Sequence, residues 1–341
     1  MSNESGVTRE GPEHPRPGRE APADDRTVRR RGRRRRGRGE QEMVPAADFR
    51  SYYGLPVLNR PVWSALDIAG YLFLGGLAGA SSLVGAAADL RGEAGLARVS
   101  KTGAAAAAVL SLAALVHDLG RPLRFLGMLR VVKVTSPMNL GAWLLSAYAP
   151  AALVAATSAL TGRLRPLGRA GTVGAAALGP AVASYTAVLI SDTAVPAWHD
   201  GYREMPFVFV GSGAMAAGGL GLLGAPSTEQ ALARRVGVLG AAAEVGVLQL
   251  MERRLGLVGE PYHQGRSGRL VKLGEGLAVA GSALALLGGV SRRGRRTSGA
   301  VAGVLLLAGS ACTRFGVFAA GLASADDPRY TVQPQRERLR R

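Results

Sequence analysis

The sequence predicts an all-α fold: a polytopic membrane bundle of eight transmembrane helices behind a disordered basic N-terminal tail. Three observations predict it. Mean hydropathy is positive, +0.14, although the first forty-odd residues are almost wholly polar, so the remainder must be strongly apolar. Hydrophobic residues make up 48% of the chain and charged ones 19%, with 48 glycines, an alanine-rich texture and few aromatics. That is the composition of helices packed closely in lipid, where small residues let backbones approach. Finally, the chain contains a series of apolar runs close to the ~20 residues needed to cross ~30 Å of hydrocarbon.

These runs lie near 66–88, 103–119, 139–160, 171–191, 206–224, 231–250, 271–290 and 299–321. Short connections that are charged or carry Pro and Gly separate them, among them "DLRGEAGLARVSK", "GRLRPLGR", "APSTEQALARR" and "SRRGRRTS". Such segments read as turns outside the bilayer. Lipid offers no partner to bare backbone, so each span is expected to be helical, with both termini on one side. A β-barrel would alternate polar and apolar residues at every second position, and these runs do not.

Residues 1–48 are a different material, with no apolar period and the arginine block "RRRGRRRRGR", which predicts disorder. Aromatic interleaving and a folded module are missing beside it, so specific nucleic-acid binding is not expected. The reading is a solvated basic tail lying on anionic membrane lipids, followed by a transmembrane domain over 49–325 and a short basic tail over 326–341. Lysine and arginine counts lean slightly toward cytoplasmic termini in the cell membrane. The single cysteine, Cys312, excludes an internal disulfide framework and reads as a small buried hydrophobe.

Ionisable groups of both signs gather where the second run ends, in "LVHDLGRPLRFLG", as His117, Asp118 and Arg121 before Pro122. Beyond them Leu123, Leu126, Leu129 and Val132 recur every third residue between basic ones, which suggests a short interfacial helix. The fourth connection, "ISDTAVPAWHDGYREMPFVF", brings Asp192, Trp198, His199, Asp200, Arg203 and Glu204 to the same side. One membrane face is therefore specialised.

"YYGLPVLNRPVW", "YLFLGGLAGASS", "HDLGRPLRFLGMLRVVKVTSPMNLGAW" and "SYTAVLISDTAVPAWHDGYREMPFVFVGSGAMAAGG", in this order and spacing over roughly residues 50–225, resemble the NrfD/PsrC family of polysulfide-reductase-type membrane subunits. The resemblance implies an eight-span, quinone-reactive anchor. Its expected partners are a ferredoxin-like iron–sulfur subunit and a molybdopterin catalytic subunit acting on polysulfide, formate, nitrite or related substrates. The cofactor implied is menaquinone or ubiquinone, and the chain is expected to be a non-catalytic subunit of the complex. The family's quinone pocket uses a polar residue of the first span and a tyrosine of the fourth, which fall here on Tyr71 and Tyr185. Some relatives carry histidine at the first position; a phenol still donates a hydrogen bond to a quinone carbonyl but relays protons less well than imidazole. Both tyrosines can also be read as interfacial or packing residues.

Quinone exchange moves protons with electrons, so its slot needs a few titratable groups at the mouth. Asp67, one turn before Tyr71, can share its helix face. Asp118 and Arg121 either pair at the rim or only lock the loop, and His117 can relay a proton, with an unperturbed pKa of ~6.5. Asp192, His199 and Glu204 at the rim, with Glu244 and Glu275 inside spans, form a candidate proton path; for the last two, interhelical hydrogen bonding is the alternative. Arg314 is a snorkelling or paired cation. The four histidines sit in the tail, near span ends or in a loop, and cysteines for a cluster are lacking, so neither haem nor an iron–sulfur cluster is expected in this chain. A Walker A loop and a nucleophile elbow are also missing. The competing function is a secondary transporter or proton-conducting protein, its path lined by Glu244, Glu275 and the Gly-rich spans.

Overall fold

The computed structural model describes residues 57–118, 127–133, 135–288 and 292–339. Contacts divide the chain into Met1–Leu55, which lies outside the described residues together with the expected basic tail, and Pro56–Arg341. Arg121, Pro122, Leu123 and Leu126 also lie outside them.

Among the described residues the protein is helical, without strands. The helices are α1 (Ala65–Leu90), α2 (Ala94–Asp118), α3 (Pro137–Thr161), α4 (Arg165–Ser191), the short α5 (Pro196–His199), α6 (Met205–Gly224), α7 (Gln230–Leu255), α8 (Gly265–Leu287), α9 (Arg292–Asp326) and α10 (Arg329–Leu339). A 3-10 segment, Gly256–Tyr262, joins α7 to α8. Among the described residues, seven helices are long and apolar enough to cross a membrane. The eighth of the expected set, α7, has a spanning length of 26 residues but carries Arg234, Arg235, Glu244, Glu252, Arg253 and Arg254. The chain is thus an integral membrane protein whose bundle matches the expected octet in length, with one member unusually polar.

Local chemistry sets several helix ends. Ser64 caps α1, its Oγ accepting from Asp67 N at 3.4 Å, and Ser136 caps α3 with Pro137 in the first turn. Gly162 closes α3 in the left-handed region at φ 68°, where a Cβ is disfavoured. Other ends run further than the apolar pattern. α2 begins at Ala94, α4 at Arg165, α7 at Gln230 and α9 at Arg292, so much of each charged connection is helical. Beyond the hydrocarbon, a helix still satisfies its own backbone while long basic side chains reach water. Lys101 of α2, for instance, pairs with Asp89 of α1.

Of the expected interfacial helix, Leu123 and Leu126 lie outside the described residues; Gly127 and Met128 are helical, a turn follows at 129–130 and chain without regular structure at 131–133. Asn139 holds the end of this segment. Its Nδ2 donates to the carbonyls of Met128 (2.7 Å) and Val131 (2.9 Å), and its Oδ1 accepts from Lys133 N (2.7 Å). Those carbonyls are bound by a side chain where the helical run stops.

Neighbouring long helices pair as antiparallel hairpins, α1 with α2, α3 with α4, α6 with α7 and α8 with α9, and α1 packs against α4, α6 and α9. Backbone proximity at α1 depends on glycine. A Cβ on Gly79 would drive into the Gly179 carbonyl of α4, and one on Gly213 of α6 would stand 2.7 Å from the Gly76 carbonyl. Outward residues such as Leu110, Val173, Leu239, Val279 and Val301 are exposed and apolar, the surface that lipid covers.

The face where α1 begins and α9 ends is capped by α5. Trp198 is fully buried, stacks on Trp63 at 6.0 Å, and donates from Nε1 to Val317 O at 2.9 Å. Ser324 Oγ accepts from Ala197 N, and Tyr262 Oη donates to Ala197 O at 3.0 Å. Burial pushes the Tyr262 phenol well above its ordinary pKa, so it remains a donor. The segment expected as a C-terminal tail includes α10, anchored by buried Tyr330 and by Arg338, which pairs with Asp200 at 3.3 Å.

Candidate functional site

The candidate site starts where α1 begins and α2 ends. Asp118 Oδ1 accepts from the backbone N–H of Ser64 at 3.1 Å, satisfying a donor at the N-terminus of α1 and tying the two helices together. Three residues on, Asp67 Oδ2 lies 3.1 Å from His117 Nδ1. That geometry makes Nδ1–H the donor and leaves Nε2 toward water, since the His117 side chain is 79% exposed against 17% for Asp67.

One turn further inward on α1 is Tyr71, only 1% exposed, its hydroxyl buried without a hydrogen-bond partner. Tyr185 of α4 meets its ring edge-on, with centroids 6.4 Å apart and planes at 74°. Gly141 of α3 makes room for Tyr185, because a Cβ there would stand 2.9 Å from the phenol oxygen and closer still to the ring. Ser111 Oγ of α2 donates to the Tyr71 carbonyl at 3.4 Å. An orphaned buried hydroxyl costs ~1–3 kcal/mol, so Tyr71 Oη is a donor in need of an acceptor. A quinone carbonyl between apolar helices answers that need, and the residues present fit such a group.

Five residues singled out in the sequence therefore meet at one rim: Asp67, Tyr71, His117, Asp118 and Tyr185. Arg121 lies outside the described residues, and the partner found for Asp118 is Ser64 N–H. The rim groups of the fourth connection are more scattered. Asp192 and His199 are exposed, with His199 Nδ1 3.1 Å from the Ser191 carbonyl. Glu204 is held by Arg254, through Nε at 2.6 Å and Nη2 at 2.5 Å, and the same guanidinium donates to Asp200 O at 2.6 Å.

A second polar group lies inside the other half of the bundle. Glu244 of α7 and Arg314 of α9 are each 1% exposed. Arg314 donates from Nε to Ser212 Oγ at 3.2 Å and from Nη2 to Phe209 O, and lies 3.7 Å over the Phe209 ring. Ser212 Oγ and Ser310 Oγ share a 2.7 Å bond in which either can donate, and Ser310 Oγ also reaches Ser212 O at 3.0 Å. The Thr313 and Ser212 hydroxyls and the Arg314 cation are the groups that act on the buried Glu244 carboxyl, and Arg314 Nη1 has no hydrogen-bond partner. Glu275 of α8 is half-buried and close enough to act electrostatically on Glu244.

Sequence reasoning passed over Trp198 as an anchor, Ser111 beneath Tyr71 and Glu252 near the end of α7. A tryptophan after a proline in a polar loop, and a second acid eight residues after Glu244, were the available signals.

No curated protein matches the chain. The family model described as polysulphide reductase, NrfD, matches residues 55–226, half of the chain and the part that contains α1 to α6. The protein therefore belongs to the NrfD family, whose members are membrane subunits of molybdopterin oxidoreductase complexes and generally partner iron–sulfur and molybdopterin subunits.

Proposed function

We propose that this chain is the quinone-reactive subunit of such a complex. It passes electrons between menaquinone or ubiquinone in the cell membrane and an iron–sulfur partner of a molybdopterin enzyme of the polysulfide, formate or nitrite type. The observation that carries the reading is the unpartnered Tyr71 hydroxyl, buried against Tyr185 one turn below the Asp67–His117 pair.

The chemistry follows from the layering. A bound quinone supplies two-electron, two-proton exchange. Tyr71 holds one carbonyl by donating from Oη, and Tyr185 closes the apolar wall beside it. Asp67 fixes the His117 ring through Nδ1, so that Nε2 trades protons with water at the rim. Asp118 holds the start of α1 in place. Asp192 and His199, open to water, are further proton-access groups; Glu204, bound by Arg254, serves the helix interface. In this reading the termini lie on the cytoplasmic side.

Purification of the native assembly with its partners, followed by assays of quinol-linked turnover, tests the proposal. Tyr71→Phe is expected to lower turnover about five- to tenfold, the worth of one hydrogen bond, while the complex stays assembled. Unchanged turnover in both Tyr71→Phe and Tyr185→Phe removes the site assignment.

A further inference from the structure

A cavity of about 530 Å³ opens at the face where α1 begins, among the 3-10 segment, α8, α9 and α10. Its walls, Arg60 and Ala65 apart, lie beyond residue 226, outside the half of the chain that the family model matches. A stripe of α9 forms its long side. Phe315, Phe318, Leu322 and Asp326 follow one another at helical spacing, so the lining runs about 16 Å along the helix. Leu270 of α8 lines the same groove. The deep end is thus apolar and the open end charged.

Arginines dominate the open end. Arg60 pairs with Asp326 at 3.5 Å, and Arg329 with Asp327 at 2.8 Å and with Glu260 at 3.8 Å. Each acid at the mouth is therefore held. Arg266, exposed in the first turn of α8, has no ion-pair partner among the described residues, and Arg269, one turn along, gives its Nε to the Gly265 carbonyl at 3.4 Å. Gln264 supplies no side-chain cap, so the N–H groups that open α8 at this mouth are unclaimed as well. The surplus is positive and stands at the head of an apolar groove. A neutral quinone would leave Arg266 unanswered, and a free phosphate would leave the apolar stripe wet. An occupant that satisfies both ends carries an anionic head and a hydrocarbon tail.

We propose that this cavity is a specific site for one anionic phospholipid of the leaflet on the α1 side. Arg266 and the opening turn of α8 bind its phosphodiester, and one acyl chain lies along Phe315, Phe318 and Leu322. A guanidinium holds phosphate oxygens through paired, charge-assisted hydrogen bonds. The depth also fits. Arg60 precedes α1 and Arg329 follows α9, which places the mouth at headgroup level, and a stripe of about 16 Å reaches through one leaflet's half of the ~30 Å hydrocarbon. Basic pockets between transmembrane helices recognise acidic lipid headgroups in this way. Seated there, the lipid fastens α8, α9 and α10 to the segment that leads into α1. The inference goes beyond the quinone reading and needs neither quinone nor partner subunits to be tested.

The test uses the full chain, delipidated in a mild detergent, and follows its thermal midpoint as phosphatidylglycerol or phosphatidylcholine is added in mixed micelles. The expected result is a saturable rise with phosphatidylglycerol and a much smaller one with phosphatidylcholine at equal concentration. Arg266→Gln raises the half-saturating phosphatidylglycerol concentration about tenfold, the worth of one hydrogen bond to a charged group, and Arg266→Lys recovers part of the loss. Ala323→Phe, which puts a ring into the groove from an exposed position, weakens phosphatidylglycerol binding at least as much. The basic N-terminal segment is the same in every variant and contributes equally to each titration. Equal responses to the two lipids, a wild-type response in either Arg266→Gln or Ala323→Phe, or a response to inorganic phosphate equal to that to phosphatidylglycerol overturns the proposal. Should Ala323→Phe fail to fold, the two Arg266 variants decide. Tyr71→Phe leaves the titration unchanged, so failure of the quinone site and failure of the lipid site are separable.

Discussion

The two halves of the bundle hold charge in opposite ways. At the rim of α1 and α2, Asp67, His117 and Asp118 each have a hydrogen-bond partner, and His117 stands largely in water. Inside the second half, Glu244 and Arg314 are removed from water, the carboxyl acted on by the Thr313 and Ser212 hydroxyls and the guanidinium keeping Nη1 unpartnered. Charges at a membrane rim cost little and are replaceable, whereas a desolvated ion costs several kcal/mol. A leucine would pack at Glu244 without that cost. The rim is thus suited to exchange with water, and stability does not account for Glu244 at depth.

The comparison breaks most severely at Arg314. Arg314→Met strips the donors from Ser212 and the Phe209 carbonyl and leaves Glu244 without its cation, an expected loss of about 3–5 kcal/mol. It is read as a lower thermal midpoint and yield of the solubilised chain. Adding Glu244→Gln to it recovers part of the loss, because the two sites are coupled. Trp198→Ala follows at about 3 kcal/mol, since it empties the anchor beneath Trp63 and frees the Val317 carbonyl. At the rim, Asp67→Asn shifts the thermal midpoint immeasurably and lowers only quinol-linked turnover; a midpoint falling as far as that of Arg314→Met would erase the contrast between the halves.

The membrane spans were legible because apolar runs of spanning length have few other uses. Their ends were not. Arg98, Lys101 and Arg165 look like loop residues in sequence, yet they belong to helices that continue beyond the apolar zone. The polar character of α7 was visible in Glu244 but did not reveal that the acid lies near Arg314, seventy residues along, because that proximity is made by packing of α6, α7 and α9. At the rim, the one-turn spacing of Asp67 and Tyr71 was readable from helix geometry. The bond between Asp67 and His117 was not, since it depends on the register of α1 against α2 across fifty residues. Asn139 illustrates the same limit: its three hydrogen bonds to Met128, Val131 and Lys133 fasten the segment before α3, a role that sequence spacing does not reveal.

Photolabelling with an azidoquinone, followed by peptide mapping of the native assembly, tests the central claim most directly. The account predicts label on peptides of α1 (Ala65–Leu90) and α4 (Arg165–Ser191), suppressed by excess unlabelled quinone and reduced in Tyr71→Phe. Competable label confined to α7, α8 and α9 would contradict it.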